Sequence, residues 1–103
     1  MEYLDDDNFK DVFRNVKNVT IFLKFTASWC GACVKIDPYL KKMAQINTSS
    51  YFYKVDVDDS PFLAQYFEIR ALPTFIAITN GMEMDRVLGA NQEELAQLIA
   101  KYK

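Results

Sequence analysis

The chain holds two cysteines in 103 residues, and both lie in the segment Trp29-Cys30-Gly31-Ala32-Cys33. One turn of backbone can bring their sulfurs together. An apolar run, Val19-Thr20-Ile21-Phe22-Leu23-Lys24-Phe25, precedes them and a helical pattern follows. A cysteine at a strand-to-helix junction meets free backbone N–H groups and the positive end of the helix dipole. Both favour negative charge, lower the thiol pKa and produce a thiolate, the form that attacks disulfides. The chemistry this pattern points to is thiol–disulfide exchange. The chain has no histidine, which excludes Cys–His nucleophilic hydrolysis within one chain. Structural zinc takes about four ligands, usually Cys or His. Two cysteines fall short unless carboxylates or a second chain complete the set, so no metal is expected.

The elements that must hold the pair alternate. Glu2 to Leu4 reads as a short strand. Asp7 suits a helix cap, and Phe9, Val12, Phe13 and Val16 then recur on one helical face. Val19 to Phe25 is apolar on both faces, as in a central strand covered by helices on each side. Gly31 to about Ile46 reads as a helix with Ile36, Leu40 and Met43 along its inner stripe and a kink at Pro38. After the polar break Asn47 to Ser50, Tyr51 to Asp56 reads as a strand. Ser60-Pro61 opens a helix to about Phe67, with Ser60 as the capping residue. Thr74 to Thr79 is a strand, Asn80-Gly81 a hairpin turn, and Met84 to Leu88 the partner strand. Asn91 with Glu94 resembles a capping box, and Leu95, Leu98, Ile99 and Tyr102 form the apolar stripe of a last helix. The order β-α-β-α-β-α-β-β-α predicts an α/β fold: parallel strands joined by right-handed crossovers, then an antiparallel hairpin, with helices on both faces.

Length and composition agree with one domain spanning 1–103. Half the residues are hydrophobic, including eight Phe, six Tyr and one Trp, which is ample for a core without a staple. A net charge of −2 gives no basic nucleic-acid surface. Asp5-Asp6-Asp7 reads as a solvated helix start. No apolar stretch approaches the ~20 residues of a membrane span. The first residues, Met1-Glu2-Tyr3-Leu4-Asp5, lack the basic start and apolar segment of a secretory signal. The expectation is a soluble cytoplasmic protein. In a reducing compartment a lone cysteine pair is catalytic or metal-binding rather than structural.

With these elements in order, the chain resembles thioredoxin along essentially its whole length. Trp29-Cys30-Gly31-Ala32-Cys33 is similar to the family's W-C-G-P-C, and Phe25-Thr26-Ala27-Ser28 leads into it. Pro38 matches the proline of the active-site helix. Lys54-Val55-Asp56-Val57-Asp58-Asp59 resembles a strand of the family and its exit, Ala71-Leu72-Pro73-Thr74 the cis-proline loop, and Gly89-Ala90 the small-residue segment before the last helix. Two positions depart from the pattern: Ala32 replaces the proline between the cysteines, and Lys24 replaces a buried acid, usually Asp.

The resemblance implies a protein disulfide reductase with no bound cofactor. Its electrons come indirectly from NADPH through a thioredoxin reductase, and it acts as a monomer on disulfide-containing clients. Cys30 is then the exposed attacking thiol and Cys33 the less exposed resolving thiol. Ala32 restores a backbone N–H that proline lacks, which favours the Cys30 thiolate and predicts a less reducing potential. Pro73 is expected in cis, with the Leu72 backbone opposite Cys30 as a docking edge for an extended client strand. Trp29, Gly31, Ala32, Ala71, Leu72, Pro73, Gly89 and Ala90 would form a shallow apolar contact surface. Lys54 matches the lysine that accompanies the family's buried acid. With Lys24 in the acid's place, two cations meet, and one is expected to be neutral or to swing to solvent. Lys24 either accepts the Cys33 proton or snorkels with a wet amine; Asp58 is a further acid that can stand in. Two other functional classes fit the same residues. One is a specialised relative with a dedicated client or a glutathione-linked route. The other is a binding module independent of redox chemistry.

Overall fold

Strand β2 (Thr20–Thr26) is buried along its whole length, and its alternation sorts side chains into two cores. Ile21, Leu23 and Phe25 point to one face of the sheet, where they pack with Leu4, Val55, Leu63, Ile76 and Ile78. Phe22 points to the other, with Ile36, Leu40, Phe75, Ala77, Leu95, Leu98 and Ile99. Lys24 follows Phe22 by two residues and therefore shares its face. Burying one such aliphatic or aromatic side chain is worth about 1.5–3 kcal/mol, so both faces contribute strongly.

The computed structural model describes residues 1–103. The remaining elements are β1 (Glu2–Tyr3), α1 (Phe9–Asn15), α2 (Gly31–Ile46), β3 (Tyr51–Asp56), α3 (Pro61–Tyr66), β4 (Thr74–Thr79), β5 (Met82–Leu88) and α4 (Gln92–Tyr102). The five strands form one sheet in the order β1-β3-β2-β4-β5. β1 and β2 run parallel to β3, while β4 is antiparallel to both β2 and β5. Residues of α1 and α3 cover the first core and those of α2 and α4 the second. This is the mixed sheet between two helix layers expected from the sequence.

Local details differ in instructive ways. Asn8, not Asp7, borders α1, and its side chain makes no bond into the helix. Asp5 closes the turn instead: its carboxylate accepts the N–H groups of Asp7 and Asn8 at 2.9 and 2.8 Å. Ser60 borders α3 as expected, but its hydroxyl is buried without a hydrogen-bond partner. The first turn of α3 is capped from across the molecule by Asp6, whose carboxylate accepts the N–H groups of Phe62 and Leu63, both at 3.0 Å. Two of the three aspartates are thus acceptors for helix starts, beyond the solvated role expected of them. Asn80 and Gly81 take positive φ of 52° and 77°, the geometry of a two-residue hairpin. The tight turn starts β5 at Met82, two residues earlier than expected. A register shift at Ala77/Ile78 leaves Met84 unpaired, which breaks the alternation that would have announced the longer strand.

Candidate active site

Helix α2 begins directly after the pair's first sulfur. The Cys30 N–H bonds to the Ala27 carbonyl at 3.1 Å, which turns the chain out of β2. Cys30 is the N-cap residue, extended at φ −90° and ψ 104°, and its Sγ accepts the Cys33 N–H at 3.2 Å. Cys30 and Cys33 are joined as a disulfide with Cα atoms 5.3 Å apart. Cys30 is 8% exposed and Cys33 1%. The expected order of accessibility holds, but Cys30 shows only an edge to solvent, because Ala27, Val57 and Leu72 pack around the pair. The residues around that edge, Ser28, Trp29, Gly31 and Ala32, are exposed. The donor that reaches the Cys30 sulfur belongs to Cys33, not to Ala32. Any effect of Ala32 on the thiolate therefore acts through the field of the helix start and the freedom of the turn.

The Leu72–Pro73 peptide bond is cis. Pro73 is buried, and its carbonyl accepts the Gly89 N–H at 2.8 Å, which ties this loop to the end of β5. Leu72 packs against the cysteine pair.

Beneath α2, Lys24 and Lys54 stand side by side, paired in the register of the parallel strands β2 and β3. Asp37, one helical turn beyond Cys33, reaches down between them. Its Oδ1 accepts from Lys24 Nζ at 2.9 Å and its Oδ2 from Lys54 Nζ at 2.6 Å. Lys24 Nζ also donates to the Cys33 carbonyl at 2.7 Å. The Lys24 side chain is 2% exposed, so its amine does not snorkel to bulk solvent, and both lysines stay on Asp37. Both cations are accommodated because one carboxylate is shared between them. Burial pulls the Lys24 pKa down, while the hydrogen bond and charge of Asp37 oppose the fall. Burial alone would raise the Asp37 pKa, but the two lysines outweigh it and hold it below the usual carboxylate value. A cavity of about 180 Å³ is lined by Cys33, Lys24, Asp37 and Lys54, among others.

The thioredoxin family profile matches residues 1–101. An H-type thioredoxin of Fagopyrum esculentum is 41% identical over 80 residues, 78% of this chain and 69% of that protein. Thioredoxin H5 of Arabidopsis thaliana is 39% identical over 97 residues, 94% of this chain and 80% of that one. The crystal structure of Fasciola hepatica thioredoxin superposes with a TM-score of 0.96 at 34% identity, covering all of both chains. The chain belongs to the thioredoxin family. It is a protein disulfide reductase, a thiol–disulfide oxidoreductase by class.

Around the thioredoxin disulfide the expected contact surface is divided. Trp29, Ala71 and Leu72 line a depression of about 360 Å³ beside Cys30, together with Val57, Ala64, Ile69 and Arg70. Ala32 and Ala90 line a smaller one of about 150 Å³ with Lys35 and Ile36. Gly89 is half-buried and Pro73 buried, and neither lines either depression. Trp29 is 69% exposed, a cover beside the cysteines as expected, and its indole N–H donates to Asp58 at 2.9 Å. Asp58 thus serves Trp29 and does not replace the missing acid. Asp37 is the residue that sequence reasoning missed. Its signal was the i, i+4 spacing from Cys33, hidden beside the stronger apolar stripe that begins at Ile36. Val57 and Ile69 were missed because single apolar residues in connecting segments carry no periodicity.

Proposed function

We propose that this thioredoxin reduces protein disulfides with Cys30 as the attacking thiol and Cys33 as the resolving thiol. The observation that carries this reading is the Cys30–Cys33 disulfide at the start of α2, with Cys30 the more accessible sulfur. The Cys30 thiolate attacks one sulfur of a client disulfide, and the other client sulfur leaves as a thiolate that takes up a proton. Cys33 then attacks Cys30 Sγ and breaks the mixed disulfide. The client leaves with both electrons and the enzyme with the Cys30–Cys33 bond. The client chain runs in extended form beside Leu72 and the cis Pro73, with Trp29 and Ala71 on one side of Cys30 and Ala32, Gly89 and Ala90 on the other. A thioredoxin reductase using NADPH reopens the disulfide, and the chain itself holds no cofactor.

The protein acts as a cytoplasmic monomer without membrane or nucleic-acid partners. Both of its cysteines belong to the redox pair, which suits a reducing compartment. No helix is long and apolar enough to cross a membrane, and both hydrophobic cores close within one chain. A second reading, a dedicated client or glutathione-linked reduction, is favoured by one observation: a lysine occupies the buried position beneath α2 where the family carries an acid.

The test is turnover of insulin disulfides with thioredoxin reductase and NADPH, run beside Cys30→Ser. Turnover by the intact protein and none by Cys30→Ser is the expected result. No turnover by the intact protein transfers the function to the second reading. Activity retained in Cys30→Ser overturns Cys30 as nucleophile.

A further inference from the structure

The buried charges behind the disulfide do not match what an isolated carboxylate base would require. Three groups are in direct contact, the ammoniums of Lys24 and Lys54 and the carboxylate of Asp37. Two positive charges meet one negative charge, which leaves one positive charge uncompensated. The Lys24 ammonium has three N–H donors. Two are used, on the Cys33 carbonyl and on Asp37, and the third finds no protein acceptor. Lys24 and Cys33 line the same cavity, whose volume of about 180 Å³ is enough for several waters. The other titratable groups that face it are Tyr3 from β1 and Asp56 from β3. The Asp56 carboxylate is turned toward its own loop, where it accepts the Asp58 N–H at 2.9 Å.

We propose that Lys24, held by Asp37 and backed by Lys54, stabilises the Cys33 thiolate once the disulfide is opened, so that the resolving thiol ionises to water without a carboxylate base. The Cys33 Sγ–H proton passes to water in the cavity and on to bulk solvent. The freed electron pair attacks Cys30 Sγ of the mixed disulfide, the bond between Cys30 and the client sulfur breaks, and the client thiolate leaves and is protonated. Lys24 is a positioning residue here: it acts on the charge of Cys33 and exchanges no bond with it. Asp37 keeps two adjacent cations together at this depth, and its own depressed basicity suits that role better than proton capture. This rests on the reading that Cys33 is the resolving thiol.

The test titrates Cys33 directly. In a Cys30→Ala background the thiolate of Cys33 is followed by its ultraviolet absorbance against pH, with and without Lys24→Met. An opposite charge nearby moves a pKa by about 1–3 units. Lys24→Met is therefore expected to raise the Cys33 titration by about one unit or more. An unchanged or lowered titration overturns the proposal. If Lys24→Met does not fold, Lys54→Met decides, because this side chain is less buried; a rise in the Cys33 titration supports the proposal and no rise overturns it. The titration reads the thiolate alone, while insulin turnover reads reduction. Failure of the proposal is thus distinguishable from failure of the assigned reaction.

Discussion

Replacing Asp37 by asparagine keeps the shape of the side chain and removes the only carboxylate in contact with Lys24 and Lys54. The cost is bounded from two sides. A pair of exposed charges is worth about 0–1 kcal/mol, and Asp37 is 32% exposed. Breaking a buried pair costs about 3–5 kcal/mol, and Lys24 is almost fully buried. Lys24 can also escape by losing its proton, which from an ordinary pKa of about 10.4 costs about 4.6 kcal/mol at neutral pH and sets a ceiling. The expected loss for Asp37→Asn is therefore about 3 kcal/mol. At about 4–8 °C per kcal/mol for a domain of this size, Tm falls by roughly 12–24 °C.

The loss depends on pH. Without Asp37, burial leaves the folded-state pKa of Lys24 further below its unfolded value. The unfolded chain then binds more protons than the folded one, so stability rises with pH across that window and the deficit shrinks from about pH 7 toward pH 10. Removing the stranded charge as well, in Asp37→Asn/Lys24→Met, should restore most of the stability. The assay is urea unfolding of the oxidised protein followed by far-ultraviolet circular dichroism, because Trp29 is too exposed to report on the core. A deficit below about 1 kcal/mol, no dependence on pH, or a double variant no more stable than Asp37→Asn would refute the reasoning. In the unmodified protein the lowered pKa of Asp37 acts with the same sign in a lower pH window. Its contribution is present above the ordinary carboxylate range and is lost as the pH falls through its folded-state value.

Asp6→Ala should destabilise the fold by about 1–2 kcal/mol, since it strips the first turn of α3 of two charge-assisted bonds; urea midpoints against Asp6→Asn check it, and no difference from the parent removes Asp6 as a cap. Ala32→Pro is accommodated in the first turn of α2 and should make the protein modestly more reducing in equilibrium with glutathione. A shift toward a more oxidising potential contradicts this. Cys30→Ser should abolish reductase-coupled turnover, and Lys24→Met should raise the Cys33 titration, in the two experiments described above.

Much of the fold was legible because its signals are local. The apolar run of β2, the stripe Ile36, Leu40 and Met43, the Asn80-Gly81 turn and the Asn91 cap each announce themselves within a few residues. The larger differences fell where a partner lies far along the chain. Ser60 satisfies a cap pattern, yet the N–H groups of α3 bond to Asp6, which no local rule connects to them. Likewise, the conflict between Lys24 and Lys54 was readable, while its resolution by Asp37 required knowing how far α2 reaches across the sheet.

From the sequence alone came the reactive pair, its place between a strand and a helix and the order of the elements, since spacing and periodicity determine these; the proline loop facing the pair came from the family resemblance. Tertiary structure decided how accessible Cys30 is, which N–H reaches its sulfur and how two buried lysines can coexist. Burial, hydrogen-bond geometry and charge pairing depend on distances between segments remote in sequence. Those distances exist only once β2, β3 and α2 have packed together.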